Sequence, residues 1–303
     1  MIELLITIIL SSIPIMMAAS GELIVERSGV LNLGVEGMML MGAVIASIVV
    51  INTGNPYLGV MMGALSGVLT SILFAFFSLF LATNQVATGL ALTIFGTGLS
   101  GLLGSSYVGK AINRLEVLNV PILSKIPILG EIFFSHNILV YFAFLMVFMI
   151  AWFIHRTKVG LVLRAVGNNP ESAHALGYSV ITVRLLAIMF GGFMAGLGGS
   201  FLPLVLTPHW AEGMTAGKGW IALALVVFAS WRPLRVPLGA LLFSGITVMQ
   251  LVGQARGWSM PSQFLSMLPY LATIVVLVLL SRNKEFSMIN SPASLGRIFI
   301  AGK

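Results

Sequence analysis

The chain has 303 residues, of which 58% are hydrophobic and 8% are charged, and its formal net charge is +7. Soluble domains are about a quarter charged, so this composition excludes a soluble globular fold. Apolar runs near the length needed to cross a bilayer recur along the whole chain. The sequence therefore predicts one all-helical integral membrane domain over residues 1–303.

The apolar runs predict a bundle of about nine transmembrane helices, with eight or ten as alternatives. The first run has no basic leader, which favours a span over a cleaved signal peptide. The predicted spans are 2–20, 37–51, 57–82, 86–104, 137–154, 185–206, 219–231, 237–253 and 264–281. The run 219–231 is short enough to be a half-crossing helix, a feature typical of transport pathways.

The stretch 22–36, between the first two predicted spans, is unusually polar. It holds Glu22, Glu26, Arg27, Asn32 and Glu36. Because charges inside a membrane are costly, such residues usually line a pathway or pair with each other. We therefore expect an interrupted helix whose N-terminus, near Asn32, faces a translocation pathway. The alternative is an ordinary cytoplasmic loop with a solvated pair of Glu26 and Arg27.

Small and polar residues inside the spans indicate how the helices meet. Glycines at four-residue spacing predict close packing, and they form two ridges, Gly59, Gly63 and Gly67, and Gly192 and Gly196. Asn84, Gln85 and Thr88 open the fourth span. Their amide and hydroxyl groups could bind cargo or could join helix to helix. These three residues, with Asn32 and Glu36, are our candidates for lining the translocation pathway.

The segment 155–184 is rich in basic residues, which places it in the cytoplasm. Within it, Asn169 can cap a helix, Pro170 suits the first helical position, and Gly177 permits a left-handed end. So short a helix is marginal alone, so it either docks on a partner or only connects two spans. The tail after Ser281 is also basic and belongs in the cytoplasm. Nine spans threaded between these two anchors place eleven of the 16 basic residues in the cytoplasm, including Arg184 and Arg297. They leave five outside, including Lys125 and Lys218, and they place the N-terminus outside.

Several chemistries are excluded by residue type. All nine acidic residues are glutamate and the chain has no cysteine, so it lacks the residues of an aspartyl-phosphate pump, a Ser-His-Asp triad or a thiolate metal site. The stretch Gly213–Gly219 resembles a phosphate-binding loop but has no Ser or Thr where the metal binds. We predict a plain loop there, no enzyme activity, no metal and no cofactor. Uphill transport would then need an ion gradient or a partner ATPase.

Four stretches resemble one family of transporters. The run RAVGNNPESAHALGYSVITVR, from Arg164, resembles the cytoplasmic coupling segment of ATP-binding-cassette (ABC) importer permeases of the branched-chain amino acid and simple sugar group. GELIVERSGVLNLGVEGMMLMGA, from Gly21, resembles the signature of the nucleoside and simple-sugar branch. TNQVATGLAL, from Thr83, and GKGWIALALVVFASWRP, from Gly217, are similar to the same branch.

This resemblance implies a multi-pass permease subunit in the bacterial cytoplasmic membrane, most similar to nucleoside permeases, with a ribose or galactose permease as the alternative. It implies four partners: a cytoplasmic ABC ATPase, a second related permease, an external substrate-binding (lipo)protein and membrane lipid. It implies no nucleic acid. In such permeases the coupling segment inserts into a groove of the ATPase. The residues assigned to that contact are Asn169, Pro170, Glu171, Ala175 and Gly177.

Two other interpretations of the function also fit the sequence. One is a secondary transporter driven by protons or sodium, in which Glu36 is the best candidate for the titrating residue. The other is a structural or signalling membrane protein without cargo. That reading fits the composition but leaves the matched stretches unexplained.

Overall fold

The structure, a computed structural model, describes residues 2–119, 129–257 and 290–300, with isolated positions between 261 and 278. Its α-helices are α1 (Ile2–Arg27), α2 (Val35–Thr53), α3 (Pro56–Ala75), α4 (Gln85–Gly104), α5 (Leu129–Phe133), α6 (Ile138–Arg156), α7 (Lys158–Asn168), α8 (Pro170–Ala175), α9 (Val180–Phe201), α10 (Lys218–Phe228) and α11 (Val236–Ala255). Strands β1 (Val117–Asn119) and β2 (Ser135–Asn137) pair antiparallel. The predicted all-helical class is confirmed.

Within the described residues, seven segments are long and apolar enough to cross a membrane. They match seven of the predicted spans, and α10 is a shorter apolar helix at an eighth. The predicted last span, 264–281, lies largely outside the described residues. Four of the basic residues counted in the predicted topology also lie outside them: Lys125, Arg282, Lys284 and Lys303. A total of nine spans therefore stays a prediction.

The first helix is longer than the sequence predicted. The sequence predicts an end at residue 20, before the polar break at Gly21 and Glu22, but α1 continues to Arg27. Gly21 lies against Gly191 and Met194 of α9, and Glu22 is only 1% exposed. Packing against a neighbouring helix has overridden the local signal of a glycine and a charged residue.

The bundle is built around α9, which packs on α1, α2 and α3. The two predicted glycine ridges meet here. A Cβ atom on Gly67 would overlap the carbonyl oxygen of Gly192, and one on Gly196 would overlap the carbonyl oxygen of Gly63. The predicted packing role of these glycines is confirmed, since the two backbones are in direct contact.

Hydrogen bonds between loops define the two ends of the bundle. One end joins the loops after α1 and α10 to the starts of α4 and α9, through the pairs Arg27–Trp231, Leu31–Gln85 and Arg184–Ser28. The opposite end joins other loops, through Asn52–Tyr107 and Asn113–Gly54. These groupings are those that the predicted topology requires. The first end carries the excess of basic residues and is therefore the cytoplasmic one.

Candidate functional site

The segment 155–184, called here the coupling segment because of its resemblance, folds as its capping residues predict. The Asn169 side chain accepts a hydrogen bond from the Ser172 backbone N–H at 3.0 Å, and Pro170 is the first residue of α8. The helix stops before Gly177, whose φ of +88° lies in the left-handed region that favours glycine. A six-residue helix is thus fixed at both ends by its own sequence.

The predicted coupling residues differ in exposure. Asn169, Glu171, Ala175 and Gly177 are exposed, whereas Pro170 is buried and only begins the helix. Two large apolar side chains that sequence reasoning missed also point outward. Leu176 is 78% exposed and Tyr178 is 45% exposed. An apolar pair directly after a capped helix in a polar segment is the signal that could have found them.

Beneath the coupling segment, the buried Arg184 connects several loops. Its guanidinium donates to the Ser28 carbonyl at 3.2 Å, to the Arg297 carbonyl at 3.2 Å and to the Ser294 hydroxyl at 3.3 Å. Sequence reasoning counted Arg184 and Arg297 only as topology charges. In the structure the Arg184 side chain binds the C-terminal stretch, residues 290–300, to the cytoplasmic end of the bundle through the Arg297 carbonyl and the Ser294 hydroxyl.

Between α1 and α2 the chain is not helical. This loop runs beside α4, from the cytoplasmic start of that helix toward the middle of the membrane. Leu31 donates to the Gln85 side chain at 2.9 Å, at the cytoplasmic start of α4. Farther along, the backbone of Gly37 contacts Gly96 of α4. Gly96 lies eleven positions after Gln85 in this helix, a rise of about 16 Å. The N-terminus of α2 therefore lies about halfway across the roughly 30 Å hydrocarbon core.

The predicted interruption of the helix over residues 22–36 is thus confirmed, although it starts after Arg27. The alternative, a solvated pair of Glu26 and Arg27, is wrong for Glu26. That carboxylate is 1% exposed and accepts a hydrogen bond from the Trp231 indole N–H at 2.6 Å. Irregular backbone at membrane depth is tolerated here because protein covers it.

Glu36 stands where two helix N-termini meet. One carboxylate oxygen accepts from the Thr215 hydroxyl at 2.5 Å and from the Gly217 N–H at 2.8 Å. The other accepts from the Gly219 N–H at 2.6 Å, in the first turn of α10. The loop that resembles a phosphate-binding loop does hold an anion, and that anion is the chain's own carboxylate.

Helix α10 runs from this junction toward the cytoplasmic end. It has 11 residues, so it is about 16 Å long. The chain returns to the cytoplasmic end at Trp231, whose carbonyl accepts from Arg27 at 2.8 Å. That length is about half of the hydrocarbon core, as a half-crossing helix requires. Lys218, which the topology placed in an outer loop, instead begins this helix and donates to the Thr215 carbonyl at 3.3 Å.

The other pathway candidates lie between this junction and the cytoplasmic end. Asn32 is buried: its N–H donates to Glu22 at 3.3 Å, and its side-chain oxygen accepts from the Gly34 N–H at 2.9 Å. Asn84 is exposed and caps α4 by accepting from the Ala87 N–H at 3.0 Å. Gln85 is buried against the loop and the C-terminal stretch, while Thr88 is half-buried and bonds to the Thr83 hydroxyl at 2.8 Å.

Comparison with known proteins identifies the family of this chain. The family described as "Branched-chain amino acid transport system / permease component" matches residues 4–280. This chain belongs to that family. No solved structure matches it.

Curated relatives match this permease over most of their length. A permease of Haloferax volcanii, provisionally named for glucose, is 40% identical over 87% of each chain. A nucleoside ABC transporter permease of Lactococcus lactis is 35% identical, over 88% of this chain and 89% of its own. A guanosine ABC transporter permease of Bacillus subtilis is 30% identical over 87% of each chain. A second, more distant permease from H. volcanii and another from B. subtilis also match, at 22% and 25% identity.

The permease is therefore a transport component and not an enzyme, and it spans the cytoplasmic membrane several times. As a permease of the ABC class it works with an ATPase partner.

Proposed function

We propose that this permease forms the membrane pathway of a nucleoside importer. The observation that carries the proposal is that two relatives named for nucleosides or guanosine match over seven-eighths of the chain. The second candidate is a simple sugar, because the relative provisionally named for glucose is 40% identical. Both cargoes are uncharged and rich in hydroxyl groups, so similar hydrogen-bonding walls could serve either.

In this proposal the pathway runs beside the junction of α2 and α10. Discontinuous helices that meet near the middle of a membrane commonly mark substrate sites in transporters. Asn84 and Thr88 are accessible enough to meet cargo directly. Asn32, Glu36 and Gln85 are buried and already bonded, so in this conformation they shape the wall behind the pathway.

The coupling segment would receive the ATPase through the exposed side of α8. Its caps hold a single helical turn rigidly, and Glu171, Ala175 and Leu176 are available at the surface. ATP hydrolysis takes place on the separate ATPase subunit, since this chain has no aspartate to hold the magnesium of a nucleotide. Rearrangement of that subunit would then reach the pathway through α8 and α9.

The remaining partners are a second, related permease and an external substrate-binding protein. The more distant matches in H. volcanii and B. subtilis carry the same cargo names as the nearer ones, which supports a heterodimer of related permeases. The α4 helix exposes much of its surface, including Ile94 and Leu102, and could face that second permease or lipid.

Uptake of labelled guanosine, ribose and glucose tests the cargo, in cells that carry or lack this chain at a fixed ATP level. We expect loss of guanosine uptake alone. Loss of sugar uptake alone would keep the importer and replace its cargo. Uptake that stops at once when the ion gradient is collapsed, with ATP maintained, would instead identify an ion-driven transporter.

A further inference from the structure

The C-terminal stretch 290–300, called here the arm, is tied to the coupling segment. The Ser294 N–H and hydroxyl donate to the Gly167 carbonyl at 3.0 Å and 2.7 Å. The Gly296 N–H donates to the Gly29 carbonyl at 3.1 Å, in the loop after α1. These bonds, together with those from Arg184, hold the arm beside α7 and α8 at the cytoplasmic end.

The arm also shares a small apolar cluster with α8. The ring of Phe299 meets His174 edge-on, with centroids 5.6 Å apart, and packs against Val166, Ala173 and Val180. Phe299, His174 and residues 177–181 line a cavity of about 240 Å³ at this surface. The arm and the coupling segment thus form one continuous surface.

Several large apolar side chains are exposed on that surface. On either side of the half-buried Phe299, Ile298 and Ile300 are 45% and 48% exposed, and they add to the exposed Leu176 and Tyr178. Exposed apolar side chains that cluster on one surface mark a site of association with a protein or a membrane. A solvated tail would present polar side chains here.

We propose that the arm is a second part of the surface that binds the ATPase subunit. This inference rests on the proposed coupling role of α8, because the arm continues the surface of α8 on the same side of the membrane. The ATPase groove that receives α8 would extend over Ile298 and Ile300. Its movement would then reach the loop after α1 directly, through Gly296 and Gly29, as well as through α9.

Site-specific photocrosslinking in membranes that contain the full transporter tests this contact. A photoreactive p-benzoylphenylalanine is placed at position 300 in the arm, at 176 in the coupling segment, or at 117 on the opposite end as the control. We expect the ATPase subunit to be captured from 300 and 176, and not from 117. Capture from 300 alone would overturn the coupling role of α8 and, with it, the shared surface proposed here.

Other capture patterns separate the two hypotheses. Capture from 176 alone would overturn the arm's role and leave the proposed coupling role intact. Capture from neither position, or capture of lipid or the second permease from 300, would also overturn the arm's role. These outcomes do not depend on which cargo the importer carries.

A pair of substitutions measures the size of the contact. Ile298→Ser with Ile300→Ser should lower the amount of ATPase subunit retained on purification in mild detergent, on the order of tenfold, since two half-exposed isoleucines lose their apolar contact. Val117→Ser, at a residue 56% exposed on the opposite end, should leave retention unchanged. Equal retention in both variants, with an unchanged melting temperature, would overturn the proposal.

Discussion

Two regions of the permease each hold irregular backbone in place with one charged side chain. One is the junction of α2 and α10 at Glu36. The other is the cytoplasmic layer around Arg184, formed by α7, α8, the loop after α1 and residues 290–300. At the junction, both oxygens of Glu36 accept hydrogen bonds from the loop at residues 215–219, and the side chains of Glu36 and Thr215 are buried. In the layer, Arg184 bonds inward in the same way, but the outer surface exposes Leu176, Tyr178 and Ile298.

The two regions differ in what their side chains can do. The buried polar groups of the junction stabilise the permease, whereas the exposed apolar side chains of the layer are available to contact a partner. A buried carboxylate without its donors would be very unfavourable in a membrane, so the donors at the junction are part of the fold. Exposed apolar side chains in water are unfavourable until something covers them. Substitutions in the interior should therefore change stability first, and those at the outer surface should change association first.

The largest effect is expected where helix backbones touch. Gly196→Leu would place a side chain against the Gly63 carbonyl and Ala64, so α3 and α9 would have to separate. We expect a loss of about 3 kcal/mol or more, or no folded protein at all. The measurements are the yield of monodisperse protein and its melting temperature in detergent.

Gly98→Leu is the control for that substitution. Gly98 also lies within a membrane helix, but a Cβ atom there would meet nothing within 4 Å. Its melting temperature should stay near that of the wild type. An equal loss in both variants would mean that leucine disturbs these helices by itself and that the contact of α3 with α9 is not the cause.

The second prediction concerns the junction. In Glu36→Gln, an amide N–H₂ group replaces one acceptor and faces the N–H and O–H donors of Gly219 or Thr215. We expect a loss of about 2–3 kcal/mol, because buried donors to a charged group are left unpaired. The melting temperature measures it, with Glu212→Gln, at an exposed position before the same loop, as the control. A stable Glu36→Gln variant would contradict the structural role.

Local signals in the sequence predicted much of this architecture. Asn169, Pro170 and Gly177 specify α8 through caps and turns that act within a few residues, and the spans follow from runs of apolar residues. The partner of Glu36 could not be found in this way, since Gly219 lies 183 residues away. The arm is a similar case, because Ser294 meets Gly167 across 127 residues. Such contacts depend on how the helices pack.

The third prediction concerns the inner side of the cytoplasmic layer. Arg184→Lys keeps the charge, but a single ammonium group cannot reach the carbonyls of Ser28 and Arg297 and the Ser294 hydroxyl together. We expect a loss of about 1–2 kcal/mol and faster proteolysis near the arm. Arg256→Lys, at an exposed position, is the matched control. Unchanged proteolysis would show that Arg184 does not hold the arm.

The smallest effect on stability and the clearest effect on association are expected at the outer surface. Glu171→Arg reverses an exposed charge in the first turn of α8, so the melting temperature should correspond to a change within about 0.5 kcal/mol. Recruitment of the ATPase should nevertheless weaken, as measured by co-purification. Glu116→Arg makes the same exchange at an exposed position on the opposite end and should leave recruitment unchanged. If Glu171→Arg co-purifies the ATPase as the wild type does, then α8 is a connection between spans, and the association surface must lie elsewhere in the layer.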